Sequence, residues 1–124
     1  MYWIETEIEI AASPERVWSI LMDFSAYPEW NPFIRTLSGD VTPGRSLRAS
    51  IQLPGAKAMS FRPKVRVAEH LKELRWLGHL LLPGLFDGEH YFQLAALANG
   101  HMRFVQGEKF SGMLVSLFAA RLGG

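Results

Sequence analysis

From Ile34 to Phe110 apolar and polar residues alternate with a period of two through most of the chain, and that pattern restricts the fold more than any other feature. Successive side chains of a strand point to opposite faces, so alternation over strand-length runs marks sheets with one apolar and one polar side. Leu47, Ala49, Ile51 and Leu53 share one face, and "AMSFRPKVRVAE" sets Met59, Phe61, Pro63, Val65 and Val67 against Ser60, Arg62, Lys64 and Arg66. "ELRWLGHL" places Leu74, Trp76 and Gly78 opposite Arg75, Leu77 and His79. "LFDGEHYFQLAAL" places Phe86, Gly88, His90, Phe92, Leu94 and Ala96 opposite Asp87, Glu89, Tyr91 and Gln93. The separators "SGDVTPG", "LPGAK", "EHLKE", "LLPG" and "LANGH" are rich in turn formers, which predicts a half-buried antiparallel sheet.

Helical signals are confined to the two ends. "MYWIETEIEI" alternates and reads as a first strand over Tyr2 to Ile10; without a basic start or an unbroken apolar run it is not a signal peptide. In "AASPERVWSILMDF", Ser13 suits the cap, Pro14 the first turn and Glu15 the positive end, while Val17, Ile20, Leu21 and Phe24 recur at helical spacing. "SAYPEWNPF" allows one short helix between Pro28 and Pro32. "SGMLVSLFAARL" repeats Leu114, Leu117, Phe118 and Leu122 as a last helix, with Ser111 as its cap. The expected order is one strand, two short helices, six strands and a final helix: an α+β domain spanning residues 1–124. A helix laid on a strongly curved sheet leaves the concave side incompletely filled, so a pocket is expected between them.

Composition narrows the function classes. Thirteen Lys and Arg against twelve Asp and Glu leave a net charge of +1, without the basic excess of a nucleic-acid binder. The absence of cysteine removes disulfides, thiolate chemistry and Cys-ligated zinc, and fits a cytoplasmic protein. No apolar run approaches the ~20 residues of a membrane span. His70, His79, His90 and His101 are dispersed without ligand spacing, so no metal is expected, and no phosphate loop or serine-nucleophile motif implies a cofactor.

The strongest candidate for chemistry is "RFVQGEKF". Its alternation puts Phe104, Gln106, Glu108 and Phe110 on one face, so a carboxylate and an amide stand between two aromatics. A hairpin tip near Asn99 sets His90 opposite Glu108. Three roles are open to this group. It can be a self-satisfied polar cluster that holds register, a set of ligand-orienting groups in an apolar pocket, or a general acid/base pair in which Glu108 assists His90. Trp30 and Phe33 are candidates for a lid or for core packing, and Trp76, Phe61 and Phe92 for pocket walls or core. Asn31, between the two lid candidates, reads as a cap or turn residue. Arg62, Lys64 and Arg66 form a stripe that reads as a solvated face, or else as a surface for a protein or anionic membrane.

"IEIAASPERVWSILMDFSAYPEWNPFI", "LFDGEHYFQL" and "RFVQGEKFSG", in this order, resemble the polyketide cyclase/dehydrase-like branch of the START-like (SRPBCC) superfamily over Ile8 to Leu122. The resemblance implies a helix-grip fold, in which a curved seven-stranded antiparallel sheet grips a C-terminal helix over a hydrophobic cavity. Lipid and hormone carriage, aromatic-ring cyclisation, coenzyme Q binding and co-chaperone work all occur on that fold, so fold does not select among them. Here the last helix has only ~11 residues, roughly 16 Å, against about 33 Å for strands of ~10 residues. Part of the pocket is then uncovered, or covered by a second subunit; Met113, Val115, Ala119 and Ala120 on the helix's other side either form such a homodimer or pack inside one chain.

The resulting expectation is a binding protein for a small hydrophobic, lipid-like or aromatic molecule. Trp30, Phe33, Leu47, Ile51, Met59, Phe61, Trp76, Phe92, Phe104 and Phe110 are the expected apolar lining, and His90, Gln106 and Glu108 the orienting groups. The rival expectations are a cyclase/dehydratase-like enzyme using His90 and Glu108, and a co-chaperone-type interaction module.

Overall fold

The computed structural model describes residues 2–31, 34–52, 55, 57–80 and 86–111, with only the backbone of residues 2, 80, 86 and 110. The elements are β1 (Tyr2–Ile10), α1 (Pro14–Met22), a 3-10 turn (Phe24–Ala26), α2 (Tyr27–Trp30), β2 (Ile34–Ser38), β3 (Arg48–Ile51), β4 (Met59–Phe61), β5 (Lys64–Glu69), β6 (Glu73–Leu80), β7 (Phe86–Ala96) and β8 (Met102–Ser111). All pairings are antiparallel, in a five-stranded sheet ordered β1-β8-β7-β6-β5 and a three-stranded sheet ordered β2-β3-β4. The expected C-terminal helix lies outside the described residues, as do Pro32, Phe33 and Leu53, and for Phe110 only the backbone is described.

Among the described residues eight strands in two sheets replace the expected seven in one, because the run from Met59 to Glu69 is two strands. The break falls at Pro63, which has no N–H for a ladder bond. Its carbonyl is still used, accepting from Leu47 N at 2.7 Å, and Ser46 bridges Lys64 beyond it. Val65 N donates to Arg45 O, and Gly44 N to Val65 O, both at 2.8 Å. The three-stranded sheet therefore passes into the five-stranded one along a single bent segment, and the inward-facing parity of Phe61, Pro63 and Val65 is kept across the bend.

Helix α1 begins as its sequence dictates: Ser13 Oγ accepts from Arg16 N at 3.2 Å, and Pro14 occupies the first turn. Val17, Trp18 and Leu21 are buried, whereas Ile20 is 41% exposed. Trp18 thus takes the inward place expected of Ile20, its ring edge-on to His70 at 5.9 Å. In the short α2, Tyr27 is fully buried and its hydroxyl donates to Leu21 O at 2.8 Å, tying the second helix to the end of the first.

The helices pack on the face of the sheets bearing Leu47, Ala49, Val65, Leu74, Trp76, Phe92, Leu94 and Met102, all in one hydrophobic cluster with Val17, Leu21 and Phe24. Burying each large apolar side chain stabilises the fold by about 1.5–3 kcal/mol. On the opposite face Tyr91 is only 1% exposed because its ring lies flat across Gly107. Trp3 Nε1 donates to the Tyr91 hydroxyl at 2.6 Å, the hydroxyl donates to Glu5, and the Arg75 guanidinium stands 4.5 Å from the ring centre. Burial, with the Glu5 carboxylate next in effect, raises the Tyr91 hydroxyl above its ordinary pKa of 10.0. This outer cluster joins the N-terminal edge strand to the sheet's centre.

Candidate functional site

The inner face of β6, β7, β8 and β1 is organised in cross-strand rows. Register pairs Trp76 with His90, His90 with Glu108, and Glu108 with Ile4. The opposition of His90 and Glu108 expected from the hairpin is therefore realised, around a tip where Gly100 adopts φ 84° and Asn99 Oδ1 accepts from His101 N at 3.0 Å. His90 Nδ1 lies 2.9 Å from Glu108 Oε1. In neutral His90 the carboxylate holds the proton on Nδ1, which leaves Nε2 as an acceptor.

Aromatic rings enclose that imidazole. Trp76 stacks on it at 5.3 Å and 19°, and Phe92 meets it edge-on at 4.5 Å and 69°. Phe92 in turn stacks on Phe104 at 5.8 Å and 25°. Nε2 is buried and has no hydrogen-bond partner among the described residues. In the neighbouring row Gly78 pairs with Gly88, and a Cβ on Gly78 would meet Gly88 O and Pro63 Cβ at 3.9 Å, an ordinary contact distance.

On the other side of His90, Gln106 pairs with Thr6 and Phe104 with Ile8, and these four line a recess of about 190 Å³. Gln106 is exposed, and the Glu108 side chain is 45% exposed against 17% for His90. Ile4 and Ile8 are 49% and 57% exposed on this same face. Thr6 and Ile8 were not among the residues singled out by the sequence, although the alternation of "YWIETEIEI" carried the signal for their common face.

The other expected lining residues lie apart. Leu47 is fully buried within the hydrophobic cluster, and Ile51 and Phe61 are half-buried against it. Met59 is 45% exposed, and Trp30 is 40% exposed with its ring 4.5 Å from that of Tyr27. Asn31 Oδ1 accepts from Ile34 N at 3.1 Å, as expected of a turn residue. Among the described residues no group of His and carboxylates could hold a metal ion, and no helix is long and apolar enough to cross a membrane.

A family model described as polyketide cyclase / dehydrase and lipid transport matches residues 1–122. A START superfamily protein from Mycobacterium smegmatis superposes with a TM-score of 0.70 at 21% identity, over 90% of this chain and 77% of that one. A protein from Arthrobacter aurescens gives 0.73 at 16% identity over 98% and 76%, and one from Chromobacterium violaceum 0.70 at 19% over 89% and 80%. At such identities the likeness is one of fold. No curated protein matches the chain in sequence.

Proposed function

We propose, for a chain that belongs to the polyketide cyclase / dehydrase and lipid transport family, that it binds a small apolar molecule against the inner face of β6, β7 and β8. The molecule is lipid-like or aromatic, and carries at least one polar group. The observation that carries this reading is the buried Nε2 of His90, which has no partner among the described residues and lies among Trp76 and Phe92. A buried polar atom left unpaired costs about 1–3 kcal/mol. A ligand hydroxyl donating to Nε2 removes that cost, while the rings supply apolar contact. Glu108 sets the imidazole tautomer and so decides which ligand group is accepted. Gln106, Thr6, Ile8 and Phe104 extend the site along the sheet.

The 2.9 Å contact between His90 and Glu108 also supports a second reading, in which the pair moves a proton during a cyclisation or dehydration. Native mass spectrometry of the purified protein, followed by extraction, tests both. Binding predicts a retained apolar molecule that is lost from His90→Phe and kept by Glu108→Gln, whose amide oxygen still accepts from Nδ1. Catalysis predicts that Glu108→Gln binds the same molecule but no longer converts it. A protein that retains nothing, and takes up no fluorescent fatty acid or naphthalene probe, overturns both readings.

A further inference from the structure

The outer face of the three-stranded sheet carries hydroxyls and cations without a carboxylate. Register sets Thr36 opposite Ser50 and Ser50 opposite Ser60, one row of hydroxyls across β2, β3 and β4. The next row begins with Ser38 opposite Arg48. Ala49 pairs with Phe61 on one side, and Leu47 N bonds Pro63 O on the other, so Arg48 stands directly across from Arg62. Ser46 and Lys64 follow as the next bridge.

Like charges directly opposed across strands destabilise a sheet. Elsewhere on this protein such charges are offset: Glu69 faces Glu73, but Glu73 accepts from Arg75 at 2.9 Å and from Gln93 at 3.1 Å. Arg75 also reaches Glu89 at 2.6 Å, and Arg103 approaches Glu7 at 3.7 Å. Among the described residues no carboxylate pairs with Arg48, Arg62 or Lys64. All three are exposed. A half-open recess of about 460 Å³ lies here, lined by Thr36, Arg48, Ala49, Ser50, Ser60, Phe61 and Arg62.

We infer that this recess binds a phosphate or diphosphate group. Guanidinium forks match phosphate oxygens in pairs, and the row of hydroxyls supplies further donors beside them. The bound anion would remove the repulsion between Arg48 and Arg62. The site lies on the outer face of the three-stranded sheet, whereas His90 is on the inner face of the five-stranded one, so it does not depend on the apolar ligand.

Calorimetric titration with sodium pyrophosphate tests the site, together with co-sedimentation on phosphatidylcholine vesicles with and without phosphatidic acid. The expected result is saturable binding that weakens with added salt and falls at least tenfold in Arg48→Gln/Arg62→Gln. Arg103→Gln, on the outer face of β8, leaves it unchanged. Binding to pyrophosphate alone identifies a free phosphorylated ligand, and binding only to phosphatidic acid vesicles identifies a lipid headgroup. No saturable binding to either, or binding equal in the wild type and the double variant, overturns the inference. Thermal melting in phosphate-free buffer guards against misfolding: the double variant, relieved of repulsion, melts no lower than wild type. Should it melt lower, Arg62→Lys becomes the test. Keeping the charge without the fork, it must also weaken binding for the inference to stand.

Discussion

Replacing His90 by phenylalanine should make the ligand-free protein more stable and a poorer binder. The orphan Nε2 costs about 1–3 kcal/mol in the native state, and a phenyl ring removes it. Against this stands the loss of the 2.9 Å bond from Nδ1 to Glu108, worth about 0.5–1.5 kcal/mol once the charged-acceptor value is discounted for solvent screening of the half-exposed carboxylate. Glu108 is 45% exposed, so its carboxylate rehydrates rather than being stranded. Stacking on Trp76 and the edge contact with Phe92 are available to phenyl as to imidazole. The net change lies between about −0.5 and 2.5 kcal/mol, centred near 1 in favour of the variant, and with about 3–4 °C per kcal/mol for a domain of this size the melting temperature rises by about 3–4 °C at the centre and up to ~10 °C. Circular-dichroism melting of delipidated protein measures it, and displacement of a fluorescent apolar probe measures affinity, expected to fall at least tenfold. A variant that melts more than about 4 °C below wild type would show that Nε2 is satisfied in the native state and that His90 holds the sheet together. Unchanged probe affinity would remove His90 from the site.

Three further outcomes follow from the geometry. At Gly107 a Cβ would stand 2.3 Å from the Tyr91 Cζ and Oη, so Gly107→Ala should cost about 1–3 kcal/mol by overpacking; in a Tyr91→Ala background the same change should cost nothing, as a double-mutant melting cycle will show. Glu9, hydrogen-bonded first by His101 and then by Asn99, has its carboxyl lowered from the ordinary 4.5; it therefore stabilises the fold above pH 4.5 and loses that contribution as pH falls through its folded value. Melting curves of wild type and Glu9→Gln should accordingly differ near pH 6 and converge in acid. Tyr91, raised above 10.0, contributes stability below pH 10 that is lost as pH climbs through its higher folded value, so Tyr91→Phe should flatten the alkaline limb of the melting-temperature profile.

Face and element type were legible in the chain because both depend on local periodicity. Alternation assigned Leu74, Trp76, His90, Phe92 and Phe104 to one side of the sheet, where the structure has them, and Ser13 and Pro14 marked the start of α1. Even the opposition of His90 and Glu108, eighteen residues apart, followed from counting around one turn. What required tertiary structure was everything decided by packing between distant segments. The bend at Pro63 divides one alternating run between two sheets, because its carbonyl is taken by Leu47 while its nitrogen has nothing to donate. Burial of Trp18 in place of Ile20, the exposure of Met59 and Trp30, and the fit of Tyr91 over Gly107 depend on which surfaces meet. The unpaired Nε2 and the facing Arg48 and Arg62 belong to the same class. A sequence states which donors and charges a chain carries, but whether each finds a partner is settled only when register brings remote strands side by side.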